Sequence, residues 1–106
     1  MHKTIAFALV VLTGFSAGAL AANQMVYQKG RVFSSENVSI KKGDALTFVN
    51  DDSIPHNLMS ATKGSEFNLG SQAPGTSTDV TFKEAGDIQV ICAIHPRMKM
   101  MVKVTD

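Results

Sequence analysis

Three side chains that suit a soft metal ion stand at intervals of three near the end of the chain. They are Cys92, His95 and Met98, in the string Val90-Ile91-Cys92-Ala93-Ile94-His95-Pro96-Arg97-Met98. A thiolate and a thioether are soft donors and an imidazole is of intermediate softness, a combination that suits copper better than zinc or magnesium. A trigonal copper site needs a second imidazole. Apart from His2 at the extreme N-terminus, the one other histidine is His56, in Asn50-Asp51-Asp52-Ser53-Ile54-Pro55-His56-Asn57. Both strings sit where an alternating apolar run gives way to turn residues, so each would deliver its donors from the end of a strand. Singly, a cysteine on an apolar strand face is an inert core residue and a methionine is filler; jointly, at this spacing, they point to a metal site.

The segments that must hold these donors have a period of two. Val38 and Ile40 alternate with Ser39 before the turn Lys41-Lys42-Gly43-Asp44, and Leu46 and Phe48 alternate with Thr47 before Asn50-Asp51-Asp52-Ser53. Val80 and Phe82 form another such run, closed by Glu84-Ala85-Gly86-Asp87. Ile88, Val90 and Cys92 then share one face, as do Met98, Met100, Val102 and Val104, with Lys99 and Lys103 opposite. A further short strand is predicted around Phe67-Asn68-Leu69, within a stretch broken by Gly64, Gly70, Pro74 and Gly75. No segment after the N-terminal one keeps a helical apolar period, so short strands bounded by turns predict an all-β, antiparallel sandwich or barrel.

The chain has 106 residues, 44% of them hydrophobic and 18% charged, with a formal net charge of +1. That length and composition fit one globular domain. Ten basic against nine acidic residues leave no surplus for gripping nucleic acid, and one cysteine excludes an internal disulfide and multi-thiolate zinc frameworks. The N-terminal segment reads as a cleavable signal peptide, residues 1–21: Lys3 supplies positive charge, Ile5 to Leu12 an apolar core, and Ala19-Leu20-Ala21 the small residues a signal peptidase reads. Thr13, Gly14, Ser16 and Gly18 dilute the alternative, an uncleaved anchor. Cleavage would leave a neutral domain over 22–106, with no membrane span, in an oxidising compartment where a small domain without disulfides has reason to use a metal.

The sequence resembles the blue (type 1) copper cupredoxins of the plastocyanin and amicyanin group. The resemblance rests on Phe33, Val38 to Asp44, Leu46 to Asn50, Pro55-His56-Asn57, Thr81-Phe82 with Gly86, and the loop from Cys92 to Met98 ending in Val102 and Val104. It implies a Greek-key β-sandwich of seven to eight strands, the N-terminal strand being the one left open, with copper at one end. It also implies His56, Cys92 and His95 as equatorial ligands and Met98 as a weak axial one. Met100 is the rival axial ligand, because plastocyanin-like members place the methionine five residues after the histidine. Met98 is preferred because it leaves Met100, Val102 and Val104 for a full closing strand.

The resemblance further implies that Asn50 ties the His56 strand to the cysteine loop and that the Asn57 N–H donates to the Cys92 sulfur. Many relatives have proline two residues after the cysteine; here Ile94 stands there, and its N–H is expected to be a second donor to the sulfur. Pro96 flanks His95, the expected electron port, and Arg97 and Lys99, with Lys63, would line its rim. The implied function is an exported, periplasmic one-electron carrier, a monomer and not an enzyme, working between redox protein partners such as a cytochrome, oxidase, reductase or dehydrogenase. The alternative is a periplasmic copper carrier or sensor without a redox partner. A Cys–His hydrolase built on Cys92 and His95 would need an exposed thiolate, which an inward-facing cysteine does not offer.

Overall fold

A computed structural model describes residues 23–106; the segment read as a signal peptide lies outside them. The described residues form nine strands and no helix: β1 (Gln24–Lys29), β2 (Val32–Phe33), β3 (Asn37–Lys41), β4 (Ala45–Asn50), β5 (His56–Ser60), β6 (Phe67–Gln72), β7 (Ser77–Thr81), β8 (Gly86–Cys92) and β9 (His95–Thr105). They make two sheets, in the orders β2-β1-β4-β7 and β3-β9-β8-β5-β6. The sandwich is therefore as the alternation predicts, with two differences. It has nine strands rather than seven or eight, and β1 fills the N-terminal place left open. It is also mixed, because β1 runs parallel to β4 and β3 parallel to β9.

The inward faces carry the core. Val26, Leu46, Phe48, Leu58, Ile88, Val90 and Val102 are all but sealed from solvent. Each such side chain contributes about 1.5–3 kcal/mol on leaving water. Phe33 meets Phe48 edge to face, with ring centroids 6.1 Å apart, and Phe67 meets Phe82 at 6.3 Å. Along β9 the burial alternates as read from the sequence: Met98, Met100, Val102 and Val104 face in, Lys99 and Lys103 face out.

Chain direction assigns the two ends of the sandwich different tasks. β1, β4, β6 and β8 finish at the same end at which β5, β7 and β9 begin, as the pairs Gln28↔Asn50, His56↔Gln72, Val49↔Ser77 and Cys92↔His95 show. That end collects Gln28, Asn50, His56, Gln72, Cys92 and His95. Lys63 follows the opposite end of β5, so it does not flank His95 as expected.

Candidate metal centre

Cys92 ends β8 and His95 begins β9, with only Ala93 and Ile94 turning between them. On β9 the residues Pro96, Arg97 and Met98 bulge between the pairs Cys92↔His95 and Ile91↔Lys99. This bulge lets His95 lie beside the thiol while Met98 still returns to the interior. Met100 lies deeper, opposite Val90. Both methionines are buried, at 1% and 3% exposure. His56 opens β5, which adjoins β8 through Leu58↔Cys92. Three neighbouring strands of one sheet, β9, β8 and β5, thus bring their donors to one point.

The donor atoms converge closely. His56 Nδ1 and His95 Nδ1 are 3.2 Å apart, and the Cys92 sulfur lies 3.8 Å from the first and 3.6 Å from the second. All three fall within 4.8 Å of one another. The rings meet edge to face with centroids 5.1 Å apart. Cys92 and His56 are fully buried and His95 is half-buried. Two imidazole nitrogens and a thiol aimed at one another, with Met98 inside the same bulge, fit a soft, thiolate-seeking ion such as copper.

Hydrogen bonds fix these side chains. The Asn57 N–H donates to the Cys92 sulfur at 3.2 Å, and the Ala93 N–H donates to the Asn57 carbonyl at 2.9 Å. The expected second donor does not form: among the described residues Asn57 is the sulfur's one backbone donor, because Ile94 occupies the tip of the two-residue turn and its N–H makes no bond to Cys92. The role implied for Asn50 also differs. Its side-chain amide donates to the carbonyls of Ile54 (3.0 Å) and Gln72 (2.9 Å), and its oxygen accepts the Asp52 N–H at 3.0 Å. It fastens the loop before His56 to β6 rather than to the cysteine loop. Position 93 is alanine, which has no polar side chain to meet it; Asn57 makes that connection instead.

Three supporting residues carried no signal in the sequence. Asp52 Oδ2 takes the Nε2–H of His56 at 2.7 Å, leaving Nδ1 to face the site. The same carboxylate accepts the backbone N–H groups of Gly30 (2.6 Å) and Arg31 (3.1 Å). Desolvation pushes the Asp52 carboxyl up, but the Gly30 N–H, the His56 ring and the Arg31 N–H together outweigh it and hold it below the usual carboxylate range. Gln28 and Gln72, both buried, join the two sheets beside the site through a 2.6 Å amide–amide bond. Only a tertiary fold brings these partners together.

At the surface, Arg31, Val32, Ile94, His95, Pro96 and Arg97 line an open groove of about 520 Å³. Val32 and Ile94 are among the most exposed large apolar residues, at 57% and 53%. Lys99 belongs instead to a neighbouring groove with Glu36 and Gln89.

A two-sheet β-sandwich that gathers two histidines, a cysteine and a methionine at one end defines a cupredoxin. Residues 20–105 match the family described as copper binding proteins, plastocyanin/azurin family. The chain is 34% identical to the methylamine utilization protein MauL of Methylorubrum extorquens over 98 residues, spanning 92% of this chain and 83% of that protein. It is 29% identical to the chloroplastic plastocyanin of Silene latifolia subsp. alba, spanning 92% and 70%. Among solved structures, it is similar to a purple cupredoxin from Nitrosopumilus maritimus (25% identity, TM-score 0.69, covering 78% of this chain and 100% of that one). An amicyanin variant in its Cu(I) form shares the fold (23% identity, TM-score 0.72, covering 82% and 88%). The chain belongs to the plastocyanin/azurin family of copper-binding proteins.

Proposed function

We propose that this protein is an exported, periplasmic one-electron carrier, its copper held by His56, Cys92 and His95 with Met98 as the weak axial ligand. The observation that carries this reading is the convergence of two imidazole nitrogens and the thiol within 4.8 Å at the end of a packed sandwich. Bound there, copper would supply the one-electron couple, gaining or losing a single electron without bond making. The chain's own contribution is to hold still. Buried β5 and β8 fix His56 and Cys92, the Asn57 N–H holds the sulfur, and Asp52 holds the His56 ring. A site whose ligands move little between charge states exchanges electrons quickly. Four protein donors leave no place for a substrate, which favours a carrier over an enzyme.

Met98 is the better axial candidate because it lies in the bulge beside Cys92, whereas Met100 is paired with Val90 further along the sheet. Residues 1–21 would direct export and be removed, leaving the domain from Ala22. His95 is the port: half-buried, it reaches the groove in which Val32, Ile94 and Pro96 supply apolar contact and Arg31 and Arg97 a positive rim. That combination suits a redox protein whose own apolar port has an acidic border.

Adding Cu(II) to the metal-free domain should give one equivalent bound and an intense blue thiolate-to-copper absorption, with a reversible one-electron wave. Cys92→Ala should abolish the absorption. A wild-type protein that binds copper without the band, or that hands Cu(I) readily to an acceptor and shows no reversible wave, would refute the carrier reading in favour of a copper transporter or sensor.

A further inference from the structure

We infer that Asp52 is a positioning residue that fixes the proton of His56 on Nε2 and, as a fixed negative charge beside that ligand, lowers the reduction potential of the site. This rests on the proposed copper-binding role of His56. The carboxylate is not a surface group that happens to lie near a histidine. Its side chain is 12% exposed, and the ring it faces is fully buried. Every atom of it that can accept a hydrogen bond is engaged: Oδ1 by the Gly30 N–H, Oδ2 by the Arg31 N–H and by His56 Nε2.

The geometry behind those contacts is itself constructed. Gly30 and Arg31 link β1 to β2 and both have left-handed backbones, φ 66° and 60°. Two successive left-handed residues form the tight turn that suits a right-twisted hairpin, and here their neighbouring N–H groups point at one carboxylate. Arg31 is the one non-glycine residue at positive φ among the described residues, a conformation costing an L-residue about 1–2 kcal/mol. The Asp52 backbone N–H is in turn anchored on Asn50. The carboxylate is therefore clamped from both sheets, and the His56 ring has no freedom to rotate away or to exchange tautomers without breaking a 2.7 Å charge-assisted bond.

Two chemical consequences follow. With the Nε2 proton held, the lone pair on Nδ1 always faces the cysteine sulfur and His95. An imidazole that donates to a carboxylate is also a stronger electron donor through its other nitrogen. Both the stronger donor and the nearby charge favour the more highly charged oxidation state, so Asp52 biases the site toward Cu(II) and a lower potential. The turn that clamps Asp52 also contributes Arg31 and Val32 to the groove around His95. One carboxylate thus ties the buried ligand to the surface on which a partner would sit.

The test has one arm without copper and one with it. In the metal-free wild-type protein, ¹⁵N NMR of the His56 ring should show the proton on Nε2; a proton on Nδ1 overturns the inference. In the copper-loaded protein, Asp52→Asn keeps an acceptor oxygen and removes the charge. It should retain the blue absorption while the affinity ratio for Cu(I) over Cu(II) rises about tenfold, a positive shift of about 59 mV for one electron. A variant that keeps its blue band with an unchanged or lower potential overturns the inference while leaving the copper site intact. A wild-type protein lacking the band refutes the copper reading instead, and the tautomer measurement still decides the role of Asp52. Should Asp52→Asn not fold, that same measurement on the intact chain decides it.

Discussion

Asn50→Ala should cost stability out of proportion to the atoms removed. Asn50 is fully buried at the end of β4, and its side chain makes three hydrogen bonds, to Ile54, Gln72 and Asp52. Alanine leaves two carbonyls and one N–H without a partner, and an unsatisfied buried group costs about 1–3 kcal/mol. The Gln72 bond lies wholly in the interior, while the other two are only part-buried and can recruit water. Counting each of the three groups near the minimum gives a loss of about 3 kcal/mol, a large share of the ~5–15 kcal/mol that holds a typical domain. For a domain of this size that lowers the melting midpoint by roughly 12–24 °C. Asn50→Asp keeps the acceptor for the Asp52 N–H but turns an anionic oxygen toward two carbonyls, so it should cost at least as much. Calorimetry on the metal-free proteins measures both. A fall of less than about 4 °C for Asn50→Ala, equivalent to about 1 kcal/mol, would show that these bonds do not fasten the loop.

Four other perturbations separate the roles of neighbouring residues. Met98→Leu and Met100→Leu should each cost less than about 1.5 kcal/mol, but Met98→Leu alone should alter the absorption and potential; the reverse pattern would make Met100 the axial ligand. Ile94→Pro removes an N–H that makes no bond to the sulfur, so voltammetry should find the potential unchanged, and a clear shift would mean that this N–H does reach Cys92. Converting both Arg31 and Arg97 to Glu should slow association with an acidic-rimmed redox partner about tenfold at low salt and much less at high salt, as stopped-flow kinetics would show; equal rates would remove the positive rim from recognition. Gln28→Met breaks the bond to Gln72 but also removes a buried amide oxygen that has no partner. These effects oppose each other, so unfolding should change by no more than about 1 kcal/mol while the His56 resonances broaden; a loss of several kcal/mol with sharp resonances would contradict that division of labour.

Where apolar alternation sets the face of a strand, the chain is readable. Met98, Met100, Val102 and Val104 form the inner face of β9, and Ile88, Val90 and Cys92 that of β8, as their spacing implies. The donor string was legible because its chemistry is carried by residue type and short spacing. β1 is illegible for the opposite reason: it buries Val26 and Gln28 and exposes Met25 and Tyr27, so its polarity runs against its burial. A glutamine can face inward there only because Gln72, from the other sheet, accepts its N–H. β6 hides in the same way, exposing Leu69 and burying Gln72. Asp52 stands in a run of turn-forming residues and reads as one more of them; the Gly30-Arg31 turn that gives it a task is some twenty residues distant. The Ile94 expectation failed on geometry that spacing does not encode, namely which N–H groups of a two-residue turn point inward.

The two sheets contribute unequally to the metal end, and the inequality explains its polar interior. All three close donors come from the β9-β8-β5 sheet, whereas Gln28, Asn50 and the Gly30-Arg31 turn belong to the β2-β1-β4-β7 sheet. Apolar contact between the sheets holds them together but is non-directional and tolerates small sliding. Hydrogen bonds do not tolerate it. Gln28 to Gln72, Asn50 to the Gln72 carbonyl, and the turn to Asp52 each cross from one sheet to the other sheet or to the loop that leads into it, and all lie at the donor end. A wholly apolar interior would serve stability about as well. It would not hold His56 to the sub-ångström tolerance that a ligand set needs if it is to stay nearly fixed through a change of charge. Directional bonding is concentrated where position matters, and the rest of the sandwich is left to simple burial.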